Sequence, residues 1–211
     1  MRTFRIRSLA VAATGVVLAV LASSAAAPAA TGRANAVAAH KCLVMTGSGD
    51  PAFTRNFNPY AGGGLPSNAF VQGAMYEPLI VTSAGGLHTV PWLARSWKWT
   101  NGNKTLTLHL ATNAKWSDGK ALTAADAAYS LTAGRQDAAM DRIGLTGAGN
   151  NIASVKAKGA HTVVIKLKTP DSQFVPAILN RAFVVPKHIW ANVKDPATFT
   201  NSNPVSSGPF N

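Results

Sequence analysis

The sequence predicts an α+β domain made of antiparallel hairpins and short helices. Three stretches carry that expectation. In KTLTLHLA, Lys104 to Ala111, the residues alternate strictly: Leu106, Leu108 and Leu110 share one face, and Thr105, Thr107 and His109 share the other. SVKAKGAHTVVIKLKTP, Ser154 to Pro170, reads as a hairpin turning at Lys158-Gly159, with Val163, Ile165 and Leu167 inward. In NAKWSDGKALTAADAAYSL, Asn113 to Leu131, a strand passes through a turn into a helix. Asp118-Gly119 makes the turn, because Gly accepts positive φ and Asp bonds its own backbone. Thr123 opens the helix, and Asp126 stands at the capping-box position, three residues on, where it also suits the helix dipole.

The other elements follow in chain order. Residues 1–39 have the three-part layout of a secretory signal: Arg2, Arg5 and Arg7, an apolar run from Leu9 to Leu21, then small residues. The apolar run is shorter than the roughly 20 residues of a membrane span. The mature chain is therefore expected to begin between Ala26 and Ala39. Cys42 is the one cysteine, so the chain holds no internal disulfide. Ala39-His40-Lys41 before it does not fit a lipoprotein signal, and Cys42 is expected to stay unacylated.

Cys42 to Gly47 is a short strand candidate, and Gly47 to Asn68 is a loop by composition. A helix is expected from Ser67 or Asn68 to about Tyr76. Pro78 to Thr100 holds an apolar strand, a Gly85-Gly86 turn and a second extended piece. A short helix capped by Asp171 or Ser172 is expected to run to Leu179 and to be limited by Pro176. Pro186 suits the first turn of another, PKHIWANV. Trp97, Trp99 and Trp116 are expected to fill the core.

Composition and motifs exclude more than they assign. The formal net charge is +12. Without Arg2, Arg5, Arg7 and Arg33, 16 of the 20 basic residues remain against 8 acidic ones, a net +8. The remaining cations look scattered, with Lys156, Lys158, Lys166 and Lys168 in paired strands, and no basic block is interleaved with aromatics. Nucleic-acid binding is not expected, and a solvated basic surface is. His40, His88, His109, His161 and His188 show no metal-ligand spacing, so no metal and no cofactor is expected. Gly47-Ser48-Gly49 is not a nucleophile elbow. Gly144 to Asn151 is neither a dinucleotide fingerprint nor a P-loop, and reads as a flexible loop.

Taken in order, FNPY, MYEPLI, the block from Pro91 to Leu131, VVPKHIW and NPVSSGPF resemble the extracellular solute-binding proteins of family 5. These are the dipeptide- and oligopeptide-binding receptors of ABC importers. Trp116, Ser117, Asp118, Gly119, Thr123, Ala124 and Asp126 fit the family's pattern position by position, and the resemblance runs from Leu43 to Phe210. Two features depart from it. Ser206 stands where the family has the first glycine of its Gly-Thr-Gly, and the chain stops at Asn211 where relatives continue.

The resemblance implies the N-terminal part of a two-lobed periplasmic-binding-protein-like fold, with the second lobe absent. It implies a start of the first lobe at 40–81, a small additional domain at 82–203 and a return to the first lobe at 204–211. It implies an exported protein at the periplasm or cell surface that binds peptides or other small solutes. Such a protein works with ABC permease subunits in the membrane, as a monomer and not as an enzyme. Its ligand contacts would be Asn58, Tyr60, Gly63, Gly64, Leu65, Tyr76 and Gly208, and Glu77 would serve structure. Bare glycines let a ligand backbone come close, and the tyrosines would add an aromatic wall with a polar tip. The residues alone leave two other readings open: an exported α+β hydrolase, or a fragment with no binding activity of its own.

Overall fold

In the four-stranded sheet, alternation in sequence becomes alternation in burial. The computed structural model describes residues 55–61, 71–83, 88–141, 144–145, 150–171 and 173–209. All of them belong to one compact unit, Thr46–Asn211. The leader, Cys42, the Cys42–Gly47 piece and Gly85-Gly86 lie outside the described residues.

Strands β1 (Ile80–Thr82) and β2 (Thr89–Pro91) form a small antiparallel hairpin, with Val81 opposite Val90. The main sheet holds β3 (Ala94–Thr100), β4 (Thr105–Leu110), β5 (Ile152–Lys158) and β6 (Thr162–Leu167), in the order β3-β4-β6-β5. Every neighbouring pair in it is antiparallel. The β3–β4 turn needs three left-handed residues in a row, and the sequence supplies Asn101, Gly102 and Asn103 (φ 54°, 57° and 60°). Gly159, at φ 68°, turns β5 into β6 where the sequence places the hairpin.

Leu106, Leu108, Leu110, Val163, Ile165 and Leu167 are all buried, as the alternation predicts. The register sets Leu106 against Ile165 and Leu108 against Val163. Trp99 and Trp97 lie opposite the same two leucines on β3 and pack half-buried against the core. Each fully buried aliphatic side chain contributes about 1.5–3 kcal/mol. The Ala124–Ser130 helix packs on β5 and β6, and its Ala124 and Ala127 join the same core as the sheet leucines.

The Trp116–Asp126 block then ties the remaining segments to this unit. Gly119, at φ 85°, closes the turn: its N–H donates to the Trp116 carbonyl at 2.9 Å. That buries the Trp116 ring and turns Ser117 toward Ser206. The Ser117 N–H donates to the Ser206 carbonyl at 2.8 Å, and the Ser206 N–H donates to Ser117 Oγ at 3.1 Å. Thr123 and Asp126 form the expected capping box. Asp126 Oδ2 accepts from the Thr123 N–H at 2.8 Å and from its hydroxyl at 2.9 Å. Its Oδ1 accepts from the Lys187 N–H at 2.9 Å. One turn on, Ser130 Oγ donates to the Asp126 carbonyl and accepts from the Val185 N–H, both at 2.9 Å.

Three helices differ from expectation. Within the described residues, the helix before Tyr76 is a five-residue π-helix, Val71–Met75. The segment after Asp171 is a π-helix, Phe174–Leu179, entered from Gln173. It contains Pro176 because the proline falls in the first turn, where its missing N–H has no intrahelical partner to lose. The third helix, Lys187–Trp190, is entered from Pro186, whose carbonyl accepts from Ile189 and Trp190.

Candidate ligand-binding site

Four of the seven expected contact residues are described, and they share one neighbourhood. Gly63, Gly64 and Leu65 lie outside the described residues. The neighbourhood forms where the segment 55–61 meets 190–208 and the π-helix Val71–Met75.

Asn58 is the bracket of this junction. Its side chain is fully buried. Nδ2 donates to the Pro196 and Phe199 carbonyls at 2.7 and 2.8 Å, and Oδ1 accepts from the Tyr60 N–H at 2.7 Å. A short polar side chain that bonds backbone two residues on makes a tight local turn. Here that turn aims Tyr60 at Trp190. The Tyr60 and Trp190 rings meet edge to face at 5.0 Å, and Phe199 closes the other side of Trp190 at 5.3 Å. Such pairs add about 0.5–1.5 kcal/mol beyond the area they bury.

Tyr76 is held from the opposite side. It is fully buried, and its hydroxyl accepts from Asn201 Nδ2 at 2.7 Å. The same amide donates to the Phe57 carbonyl at 2.9 Å, so one buried asparagine joins three segments. Asn201 has φ 48°, a conformation asparagine tolerates better than most residues. Burial pushes the Tyr76 hydroxyl up to about 12, against the lowering effect of Asn201. Trp190 Nε1 lies close enough to share that lowering effect but reaches no hydrogen-bond partner. Burial, then Tyr129 and Tyr76, drive the Tyr60 hydroxyl well above the ordinary tyrosine range. Both phenols therefore stay neutral at any physiological pH.

Gly208 sits against the last turn of the π-helix. Its N–H donates to the Met75 carbonyl at 2.8 Å. A Cβ at this position would fall onto the Ala74 carbonyl, so only glycine fits the approach. The Ser207 N–H donates to the same Met75 carbonyl at 3.1 Å, while Ser207 Oγ is buried with no partner among the described residues. Ala61 and Val71 flank the glycine-rich segment, and both roots belong to this junction.

Glu77 lies beside the junction. Its Oε1 accepts from Trp92 Nε1 at 2.8 Å and its carbonyl accepts from the Val184 N–H at 3.0 Å. That is the structural use expected for it. Sequence reasoning did not single out Asn201, Trp190 or Phe199. The one local signal was the Asn201-Ser202-Asn203 run, which is turn chemistry without a stated partner. Among the described residues, no three His, Cys, Asp or Glu side chains are grouped to hold a metal ion.

The chain is similar to known proteins in sequence and in fold. Residues 88–211 match the family described as bacterial extracellular solute-binding proteins, family 5, middle region. The chain is 32% identical over 169 residues to a putative ABC transporter peptide-binding protein of Brucella ovis, across 77% of this chain and 30% of the relative. It is 31% identical over 155 residues to the nickel-binding periplasmic protein of Escherichia coli, across 69% of this chain and 27% of the relative. Its fold is similar to that of a periplasmic oligopeptide-binding protein of an ABC transporter from Thermotoga maritima. The TM-score is 0.64 at 27% identity, over 74% of this chain and 28% of that one. The chain thus spans about 30% of the length of the relative it matches over most of its own length. By sequence and by fold, the chain belongs to the bacterial extracellular solute-binding proteins of family 5.

Proposed function

We propose that this chain is part of the substrate-binding component of an ABC importer for peptides. It acts outside the cytoplasmic membrane and delivers its cargo to permease subunits. The observation that carries this reading is the similarity to an ABC peptide-binding protein over 77% of the chain. The role is to bind and release, not to break bonds. Asn58, Tyr60, Tyr76 and Gly208 anchor the ligand wall, and Gly63, Gly64 and Leu65 supply backbone that a peptide can approach. Residues 40–81 and 204–211 belong to the ligand-facing lobe, and 82–203 form the additional domain. Tight binding encloses most of a ligand's surface, so residues 40–211 by themselves bind peptides only weakly.

Uptake in the host tests this. Deleting the gene should abolish uptake of labelled di- to pentapeptides, and restoring the gene should recover it. Unchanged peptide uptake would overturn the reading. Loss of nickel uptake with peptide uptake intact would move the cargo toward that of the nickel-binding relative.

A further inference from the structure

The register of the main sheet gathers lysines that look scattered in sequence. On the face opposite the core, one row across the strands reads Lys98, Thr107, Val164, Lys156. The next reads Ser96, His109, Thr162, Lys158, and the row on the other side reads Thr100, Thr105, Lys166, Ser154. Lys98, Lys156, Lys158 and Lys166 are all exposed. None has an ion-pair partner among the described residues. The four strands contain no Asp or Glu at all. Strands lie about 4.8 Å apart and rows about 6.7 Å apart, so these cations share a plane of roughly 14 by 13 Å. Lys156 lies within about one Debye length of Lys158 and of Lys166 at physiological salt, so the fields of these three overlap, while Lys98 stands about one and a half Debye lengths from the nearest of them.

We propose that this outer sheet face is a docking surface for anionic phospholipid headgroups. Charge complementarity selects an anionic partner, and the spread of the cations over β3, β5 and β6 selects an extended array of anions. The strands present no Phe, Tyr or Trp ring outward, since Trp97 and Trp99 lie opposite Leu108 and Leu106 on the inner face; His109 is the one ring on the outer face of these strands. A nucleic-acid strand therefore finds no stacking platform. Ser, Thr and Val side chains, with the exposed His109 among them, stand between the lysines, whose longer side chains carry their ammonium groups outward to headgroup phosphates. Edge lysines also discourage sheet-to-sheet pairing, which suits Lys98 on β3 and Lys156 and Lys158 on β5. Lys166 lies on the interior strand β6, where edge protection has no use for it. The surface holds whether the cargo is a peptide or another solute.

Vesicle cosedimentation tests the surface. The full-length protein, purified from its host, is mixed at low salt with vesicles of 30% phosphatidylglycerol in phosphatidylcholine, or of phosphatidylcholine alone. Binding is expected only to the anionic vesicles and should vanish in 0.5 M NaCl. At roughly fivefold per lysine, a Lys98→Gln/Lys156→Gln/Lys158→Gln/Lys166→Gln variant should bind at least a hundredfold more weakly. A variant of equal charge, with Lys115, Arg181, Lys187 and Lys194 changed to Gln, should keep most of its binding. The N-terminal segment is the same in all of them and produces no difference between them. Should the first variant unfold, Lys156→Gln/Lys158→Gln on the exposed edge is expected to lose about 25-fold. Equal losses in the two charge-matched variants, or equal binding to neutral vesicles, would overturn the proposal.

Discussion

The Trp116–Asp126 block and the Asn58–Gly208 junction both hold distant segments together, but they do so by different means. In the block, the partners that shape the backbone are close in sequence. Thr123 and Asp126 are three residues apart, and Gly119 answers Trp116. In the junction, Asn58 answers Pro196 and Phe199, and Asn201 answers Phe57 and Tyr76. The block is a self-forming turn and cap that then grips Ser206 and Lys187. The junction exists only once the chain has come back on itself. A locally formed frame thus carries a non-local junction, the arrangement in which a scaffold holds loops in place.

The largest effect should come from breaking the frame. Asp126 is buried and accepts three hydrogen bonds, two from Thr123 and one from Lys187. Asp126→Ala leaves those donors unpaired and should cost about 3 kcal/mol or more, read as a fall in denaturant midpoint. Next is the junction. Gly208→Ala puts a methyl onto the Ala74 carbonyl and should cost about 2 kcal/mol through forced backbone displacement. The two variants sharpen the comparison, because Asp126→Ala should loosen the whole unit. Gly208→Ala should increase hydrogen exchange chiefly at 55–61, 71–76 and 199–208.

This division also explains what was legible in the sequence. Leu106, Leu108 and Leu110 disclose β4 because a period of two is a local property. Thr123 discloses its helix because a cap is answered within one turn. Gly159 discloses a hairpin because a tight turn needs positive φ. Tyr60 and Tyr76 were marked through family resemblance, but no local pattern says that Trp190 meets the first or Asn201 the second. Those contacts span more than a hundred residues. Pro176 does not limit the helix for a related reason: its position in the first turn depends on where the helix starts, and the chain enters from Gln173, whose N–H donates to Asp171 Oδ1 at 2.9 Å. The basic face was hidden likewise, since the pairing register, not the spacing of lysines, creates it.

Two smaller effects follow. Thr123→Ala removes the hydroxyl that donates to Asp126 while leaving the Thr123 N–H bond in place. It should cost about 1 kcal/mol in the same denaturant assay, well below Asp126→Ala. The smallest effect is pH-dependent. Partial burial tends to raise the Asp118 carboxyl, but the Lys120 N–H, His188 and the Lys120 charge outweigh it and hold the group below its ordinary value. His188 Nε2 lies 2.8 Å from Asp118 Oδ2. A lowered carboxylate stabilises the fold above its unfolded pKa, near 3.9. That contribution is lost as the pH falls through the lower, folded value. His188→Ala should therefore lower stability slightly at neutral pH, move the acid-unfolding midpoint slightly upward, and make no difference once the pH is below the folded value.

The central claim is that the junction, and not the frame, faces the cargo. Photo-crosslinking tests it most directly. Peptides of three to five residues carrying a photoreactive phenylalanine analogue are irradiated with the full-length protein purified from its host, and adducts are mapped by mass spectrometry. Adducts are expected within residues 58–76 and around Gly208, competed away by excess unlabelled peptide. Competable adducts confined to Trp116–Asp126 or to the strands of the main sheet would contradict the account.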